Sequence, residues 1–337
     1  MKTDPESAER NRNGLNRFLV TDSVDPYENL ALEELLFEQQ GDGVTFYLWQ
    51  NERTVVIGRN QNAWRECRAE LLESEEGKLA RRSSGGGAVF HDRGNLNFTF
   101  LLPRERYDLV RQLSVIQKAV AVFGIETSFT GRNDLVLTET GEKFSGNAFR
   151  FSSTTALHHG TILISADFSK LGRYLAPSPL KLESKGVKSV VSRVANLSQK
   201  NPELTVAKMK TALRDAFEVE YGPSEHVLPD QLDRLKLESI REKYASWDWR
   251  FGTTPAFNVS FETRLSFGCL ELLFNVKNGT ITEATCFSDA MDESLPKRVE
   301  KLLSGCSYKN DLLQNRLRSA GGEEEREIAN FLSEQII

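Results

Sequence analysis

The chain has 337 residues, of which 39% are hydrophobic and 27% charged, and a formal net charge of −5. The length suggests about two domains, the composition an ordinary soluble protein with a core that needs no staples, and the charge speaks against a general nucleic-acid surface. Cys67, Cys269, Cys286 and Cys306 lack paired metal-ligand spacing and point to reduced thiols in the cytoplasm, while the absence of any apolar run of about 18 residues argues against a membrane span.

Residues 1–16 are polar and mixed in charge, with no apolar core for a signal peptide, and are expected to be a flexible tail. Arg17–Thr21 is a strand candidate. A helix then starts at Pro26, with Asp25 as its cap and Glu28 three residues after the cap. Leu32, Leu35, Leu36 and Gln39 continue it at helical spacing, so one face should pack on a sheet. Thr45–Gln50 and Thr54–Ile57 are β-rich runs. Ala63–Glu76 is expected to be helical, with Cys67 as a small buried hydrophobe. Strands are expected at Leu79–Arg82, Ala88–His91 and Asn97–Leu102. Tyr107–Phe123 is the clearest helix, since Leu109, Leu113, Ile116, Val120 and Phe123 recur every three or four residues and Gly124 stops it. Leu135–Thr138, Lys143–Phe151 and Thr155–Ile164 are further strands. Asp167 caps a short helix, and Thr205–Phe217 is amphipathic. Ala176–Val191, with Pro177, Pro179, Gly186, Lys181, Lys185 and Lys188, is a basic loop, either a solvated connector or a mobile cover for an anion. A helical pattern through Leu237, Ile240 and Tyr244 ends at Ser246–Pro255, whose tryptophans, glycine and proline mark a boundary. Beyond it, Leu270–Val276 and Thr280–Phe287 flank a hairpin signal at Asn278-Gly279, and Leu295–Leu303 and Glu323–Leu332 are helical. The fold class is α/β (α+β): a large domain over residues 17–250, a linker over 251–255 and a small α+β domain over 256–337.

The stretch RRSSGGGAVFHDRGNLNFTF, Arg81–Phe100, is where chemistry concentrates. Gly85, Gly86 and Gly87 are costly in a strand unless something must approach the backbone closely. Bare N–H groups beside a fixed arginine can cradle phosphate or carboxylate oxygens, although a simple hairpin turn has the same composition. About forty residues on come Gly131-Arg132-Asn133-Asp134, then Lys143-Phe144-Ser145-Gly146-Asn147-Ala148, then His158-His159-Gly160-Thr161. Asn133-Asp134 could be an Asx-turn or a ligand pair.

RRSSGGGAVFHD, GRNDLV, KFSGNAFR, HHGTILI, VVIGRNQNAWREC and WDWRFGTTPAF, in their order, resemble the lipoate–protein ligase A family over nearly the whole chain. The resemblance implies a mixed sheet flanked by helices and an ATP-dependent ligase that makes lipoyl-AMP. The lipoyl group would then pass to a lysine on lipoyl domains of 2-oxoacid dehydrogenase acyltransferase subunits or on the glycine-cleavage H protein. No nucleic-acid or membrane partner is implied. Lys143 would be catalytic, bridging carboxylate and α-phosphate. Arg82 and Gly87, Ala88, Val89 and Phe90 would contact ATP. Gly85, Gly86, His91, Phe144, Gly146 and His159 would hold lipoate, with Val56 and Ile57 as further wall candidates. Asn133 and Asp134 would support Mg²⁺, with Asp134 as its ligand, and Lys181, Lys185 and Lys188 would lie on an adenylate loop. Octanoyl transferases of the same superfamily use a cysteine nucleophile, and Arg68–Gly268 contains none. A transferase using preformed lipoyl-AMP and a non-enzymatic lipoyl-binding module stay as alternatives, and biotin–protein ligases carry a differently built glycine/arginine signature. No glycine run has the spacing of a Walker site.

Overall fold

In a computed structural model of the chain, residues 14–130, 134–175, 194–251, 259–277 and 279–335 are described. In chain order the elements are β1 (Asn16–Val20), α1 (Pro26–Glu38), β2 (Thr45–Trp49), β3 (Thr54–Ile57), α2 (Ala63–Glu66), α3 (Ala69–Ser74), β4 (Lys78–Arg81), β5 (Val89–His91) and β6 (Asn95–Pro103). Next come α4 (Leu109–Ala121), β7 (Thr127–Thr130), β8 (Asp134–Leu137), β9 (Lys143–Phe151), β10 (Thr155–Leu163), α5 (Phe168–Tyr174), α6 (Val206–Tyr221), β11 (Ser224–His226), α7 (Arg234–Ala245) and α8 (Trp247–Arg250). The C-terminal part holds β12 (Val259–Leu265), β13 (Gly268–Lys277), β14 (Thr280–Ser288), α9 (Leu295–Leu303), α10 (Asn310–Arg318) and α11 (Glu323–Ser333).

One sheet of eight strands runs β11-β1-β2-β6-β10-β9-β8-β7. It is mixed, since β1 pairs in parallel with β2 and β11 while β2, β6, β10, β9, β8 and β7 follow antiparallel. A small sheet, β4-β3-β5, carries the glycine run between two of its strands. The C-terminal part builds its own antiparallel sheet, β12-β13-β14, backed by α9, α10 and α11. The large sheet follows its alternating side chains. Phe46, Phe98 and Phe100 point to one face and form a core with Ile116 and Val120 of α4 and Leu213 and Phe217 of α6. Tyr47, Trp49 and Leu101 point to the other face, toward α1 and the small sheet.

Helix α1 starts as its sequence dictates: the Asp25 carboxylate accepts the Tyr27 N–H at 3.0 Å, and Pro26 fills the first turn. Glu28 does not close a capping box; it accepts from the Ser23 hydroxyl at 2.6 Å. Nor does the helix bury only one face. Leu30, Ala31, Leu32, Leu36 and Phe37 lie in a core shared with the large sheet, Val56 and Ala80 of the small sheet, and Tyr244 of α7. The helix expected over Ala63–Glu76 is broken in two, because Cys67 forms a bridge with Leu175 and the Arg68 N–H bonds the Tyr174 carbonyl at 2.9 Å. Strand β12 and helix α10 had no sequence expectation. Among the described residues, no helix is long and apolar enough to cross a membrane.

Candidate active site

The glycine run is a loop built around one buried guanidinium. Arg82 donates to the carbonyls of Gly85 at 2.7 Å and Gly87 at 2.8 Å, and to Val56 at 3.3 Å. Burial pushes it down to about 10, so it stays protonated at neutral pH. Arg82 thus folds the loop whose carbonyls it binds, and in a trans peptide this turns the N–H groups of Gly86 and Ala88 away from the guanidinium. Arg81 is structural as well: it binds the carbonyls of Gln61 at 2.6 Å and Arg250 at 2.8 Å. Two glycines are required by space. Gly86 has φ of +87°, and a Cβ on Gly85 would lie 2.5 Å from the Ala290 carbonyl oxygen.

That last contact comes from the C-terminal part. The Gly86 N–H donates to the Ala290 carbonyl at 3.2 Å, the Ser288 N–H to Asn60 at 2.8 Å, and the Asn60 amide to the Glu293 carbonyl at 2.8 Å. Residues 288–293 therefore sit on the glycine loop.

Across from the loop lies β9, whose register slips against β8: Leu135 pairs with Ser145, but Val136 pairs with Lys143. The extra residue is a β-bulge, which re-aims side chains. Phe144 packs in the core with Phe98 and Phe100. Lys143, its neighbour, turns to the other face, where its ammonium lies 2.6 Å from the Asp134 carboxylate. Both groups keep about a third of their side-chain surface, 34% and 36%. The small residue at 146 makes room for the lysine itself, because a Cβ on Gly146 would lie 2.8 Å from Lys143 Nζ.

His158 and His159 diverge in the same way. His158 sits in the core, bonded to Gln112 at 2.7 Å and Asn147 at 2.9 Å, and burial pushes it down to about 3. His159 faces the loop. Its Nε2 meets the Ser84 hydroxyl at 2.7 Å and its Nδ1 meets Glu33 at 2.8 Å. Thr99 donates to the same Glu33 oxygen at 2.7 Å, and the Trp49 indole donates to Thr99 at 3.0 Å. A carboxylate only accepts, so His159 carries a proton on Nδ1. His91 is buried next to Trp49, and burial, helped by Arg82 and His159, pushes it down to about 3.

The structure joins the glycine loop to the sheet through Ser84 with His159 and Gly86 beside Ala148, and groups Gly146, Lys143 and Asp134 further along β9 and β8. It places others elsewhere. Phe144, expected against lipoate, is on the opposite face of the sheet because of the bulge. Phe90 and Ile57 pack under the small sheet, with the Phe90 ring 5.4 Å from that of Tyr174. Val56 is core against α1, with Val89 packed at its edge. Ala88 borders the Phe90 cluster. Asn133 and the loop lysines Lys181, Lys185 and Lys188 lie outside the described residues, as does most of the expected linker, 252–255. Sequence reasoning missed Glu33, Ser84, Trp49 and the segment 288–293. Glu33 is 126 residues from the histidine it holds, and no local pattern marks that pair. Among the described residues no cluster of three His, Cys, Asp or Glu side chains is arranged to hold a metal.

The two-part architecture recurs in known proteins. Residues 25–218 match the lipoyl protein ligase A/B catalytic domain, and residues 254–337 match the C-terminus of bacterial lipoate protein ligases. LipL1 of P. falciparum, solved in complex with lipoate, is 28% identical with a TM-score of 0.84, over 95% of this chain and 100% of that one. The bipartite lipoate protein ligase of Thermoplasma acidophilum, from an archaeal lipoylation system with an E2 lipoyl domain, shares the fold at 23% identity and a TM-score of 0.63, over 73% of this chain and 100% of that one. A lipoate-protein ligase A bound with ATP does so at 22% identity and a TM-score of 0.58, over 71% of this chain and 98% of that one. With both parts of the chain matched and a lipoate-bound relative aligned along almost all of it, this protein belongs to the lipoate–protein ligase family.

Proposed function

We propose that the protein is an ATP-dependent lipoate–protein ligase that first makes lipoyl-AMP and pyrophosphate and then transfers the lipoyl group to a lysine amine. The observation that carries this reading is Lys143, turned by the β9 bulge to face the glycine loop and held at 2.6 Å by Asp134. Adenylation brings two anions, a carboxylate and an α-phosphate, within bonding distance, and their repulsion must be offset by fixed charge and N–H donors. An ammonium on one wall and, once the Ala290 carbonyl leaves Gly86, the N–H groups of the glycine loop on the other would supply both. In the first step a carboxylate oxygen attacks the α-phosphorus and the bond to the β-phosphate oxygen breaks, with pyrophosphate leaving. In the second, the acceptor's ε-amine attacks the acyl carbon, the acyl–phosphate bond breaks, AMP leaves and the amine loses a proton. Lys143 would hold the shared oxygen in both. Asp134 fits a magnesium role that needs little protein, since Mg²⁺ commonly takes one carboxylate together with substrate phosphates, whose charge it would offset.

Acceptors are proposed to be lipoyl domains of 2-oxoacid dehydrogenase acyltransferase subunits and the glycine-cleavage H protein, in the cytoplasm. The thioester route of an octanoyl transferase has no nucleophile here. Cys67 is buried in a core, and burial pushes its thiol up to about 12. The Ala290 carbonyl occupies the Gly86 N–H, so the C-terminal part, proposed as an accessory domain, would move off the loop between half-reactions. A disulfide engineered between positions 60 and 293 should slow turnover and release it on reduction; full turnover while locked would sink the domain movement.

The test of the main reading is pyrophosphate release from ATP with lipoate and no acceptor. Lipoate-dependent release that Lys143→Ala removes would support it. No release from the wild type, with transfer from supplied lipoyl-AMP intact, would leave a transferase.

A further inference from the structure

Three asparagine and histidine side chains beside Trp49 determine where a proton sits. The Tyr47 hydroxyl donates to Asn29 Oδ1 at 3.1 Å. Asn29 Nδ2 faces the carbonyls of Gln50 at 2.7 Å and Ser23 at 3.1 Å, which can only accept. That amide is therefore fixed, and its Nδ2 also meets Asn51 Oδ1 at 3.0 Å. Asn51 then presents its Nδ2 to His91 Nδ1 at 3.2 Å, so His91 Nδ1 accepts. Burial keeps the ring neutral. Its one proton is on Nε2, and Nε2 is buried with no hydrogen-bond partner among the described residues. The buried Asn97 amide nitrogen, on the next strand, has none either.

A desolvated donor of this kind is costly unless something accepts from it. What could do so follows from position. The His91 ring lies edge-on to Trp49, centroids 6.2 Å apart. Trp49 is registered opposite Asn97, and Asn97 opposite Thr161. The Thr161 hydroxyl accepts from the Gly146 N–H at 3.2 Å, beside Lys143. This row crosses β2, β6, β10 and β9, three strand spacings or about 14 Å. An acid held by its carboxyl at Lys143 and laid along the row would bring its tail to Trp49 and His91.

We propose that His91, fixed as the Nε2–H tautomer by the Asn29–Asn51 chain, donates to a sulfur of the dithiolane ring and so makes this site prefer lipoate to octanoate. The inference rests on the adenylation reading above. Sulfur is a weak acceptor, but the methyl end of octanoate is none, and it leaves the donor unpaired. His91 is thus a specificity residue for the acyl tail, remote from the reacting atoms.

Two measurements test it. The first compares kcat/KM for pyrophosphate release with lipoate and with octanoate. His91→Phe should cut the lipoate preference by about 3- to 10-fold, the worth of a neutral hydrogen bond, while His91→Gln, whose amide reaches the Nε2 position, should keep most of it. An unchanged ratio in His91→Phe overturns the proposal. The second is long-range ¹H–¹⁵N correlation on the wild-type protein. The ring should be protonated at Nε2 alone, and the Nε2 resonance should move with lipoate more than with octanoate. Protonation at Nδ1, or equal shifts with both acids, also overturns it. If neither acid elicits pyrophosphate, the adenylation reading fails on its own, and the resonance comparison still decides the role of His91.

Discussion

His158 and His159 are consecutive on one strand, yet they belong to two regions with different rules. One face of the large sheet is a closed core: His158 has both ring nitrogens bonded to amides and is ringed by Phe98, Phe100 and Phe149. The other face is apolar where it meets α1 and polar beneath the glycine loop. There His159, Thr99, Asn97 and Lys143 are paired or aimed toward the glycine loop, and Asn97 and His91 hold atoms with no partner among the described residues. The same four strands build both. The difference shows that the sheet's alternation, one residue in and one out, is the device that places charged chemistry directly behind an apolar core. It also means that neighbouring residues should fail in different ways when changed.

Phe144 and Lys143 give the sharpest break. Phe144→Ala removes a fully buried ring and should cost about 3–5 kcal/mol of stability. Denaturant unfolding would measure it, and the pyrophosphate assay at low temperature should still find activity in whatever remains folded. Lys143→Ala should do the reverse. The unfolding midpoint should barely move, because the ammonium is part-exposed, while lipoate-dependent pyrophosphate release should fall by about 10²- to 10³-fold. If the two variants lose stability and activity together, the division between the faces is wrong.

Gly146→Ala sharpens the comparison within the polar face. The new Cβ would push on Lys143 Nζ from 2.8 Å, and the flexible lysine end would give way. Stability should hold while pyrophosphate release falls by roughly 10- to 100-fold, since a displaced catalytic group loses about that much. A wild-type rate would show that Lys143 tolerates displacement and would weaken its proposed role.

What could be read in the sequence follows the same division. Strands and helices with clean periodicity, such as β10 and α4, fall where their patterns put them. Composition alone marks the three glycines; Lys143 and Asp134 stand out only through the family resemblance, since by themselves they read as a surface lysine and a turn residue. Phe144 was misplaced because a β-bulge cannot be seen in KFSGNA: Ser145 and Gly146 are small enough to sit on either face, and period-two counting carries across the slip unchecked. Glu33 was missed because it reads as one more polar position on an amphipathic helix. Only folding makes it the partner of His159 and Thr99. Segment 288–293 was missed for a similar reason, since its role is carried by a backbone carbonyl and no side-chain pattern reports that.

The smallest expected effect tests how firmly that segment closes the polar face. Glu293 is part-buried where residues 288–293 meet the catalytic part, and its carboxyl is held up to about 7. Burial is the main cause; Asp292 and Glu34 add to it, and Arg150 and Arg59 oppose it without prevailing. When the segment lifts away, the carboxyl meets water and returns toward its ordinary value of 4.5. Docking therefore takes up a proton between those two values. The stability it lends to the docked state is full below about 4.5 and is lost as pH rises through about 7. Hydrogen exchange at the Gly86 amide, which the Ala290 carbonyl protects, reads docking directly. After correction for the intrinsic pH dependence of exchange, protection should weaken modestly across that window. Glu293→Gln, always neutral, should flatten the curve at its low-pH level. A pH-independent wild type would mean that Glu293 stays ionised when docked, with Arg59 and Arg150 outweighing its burial.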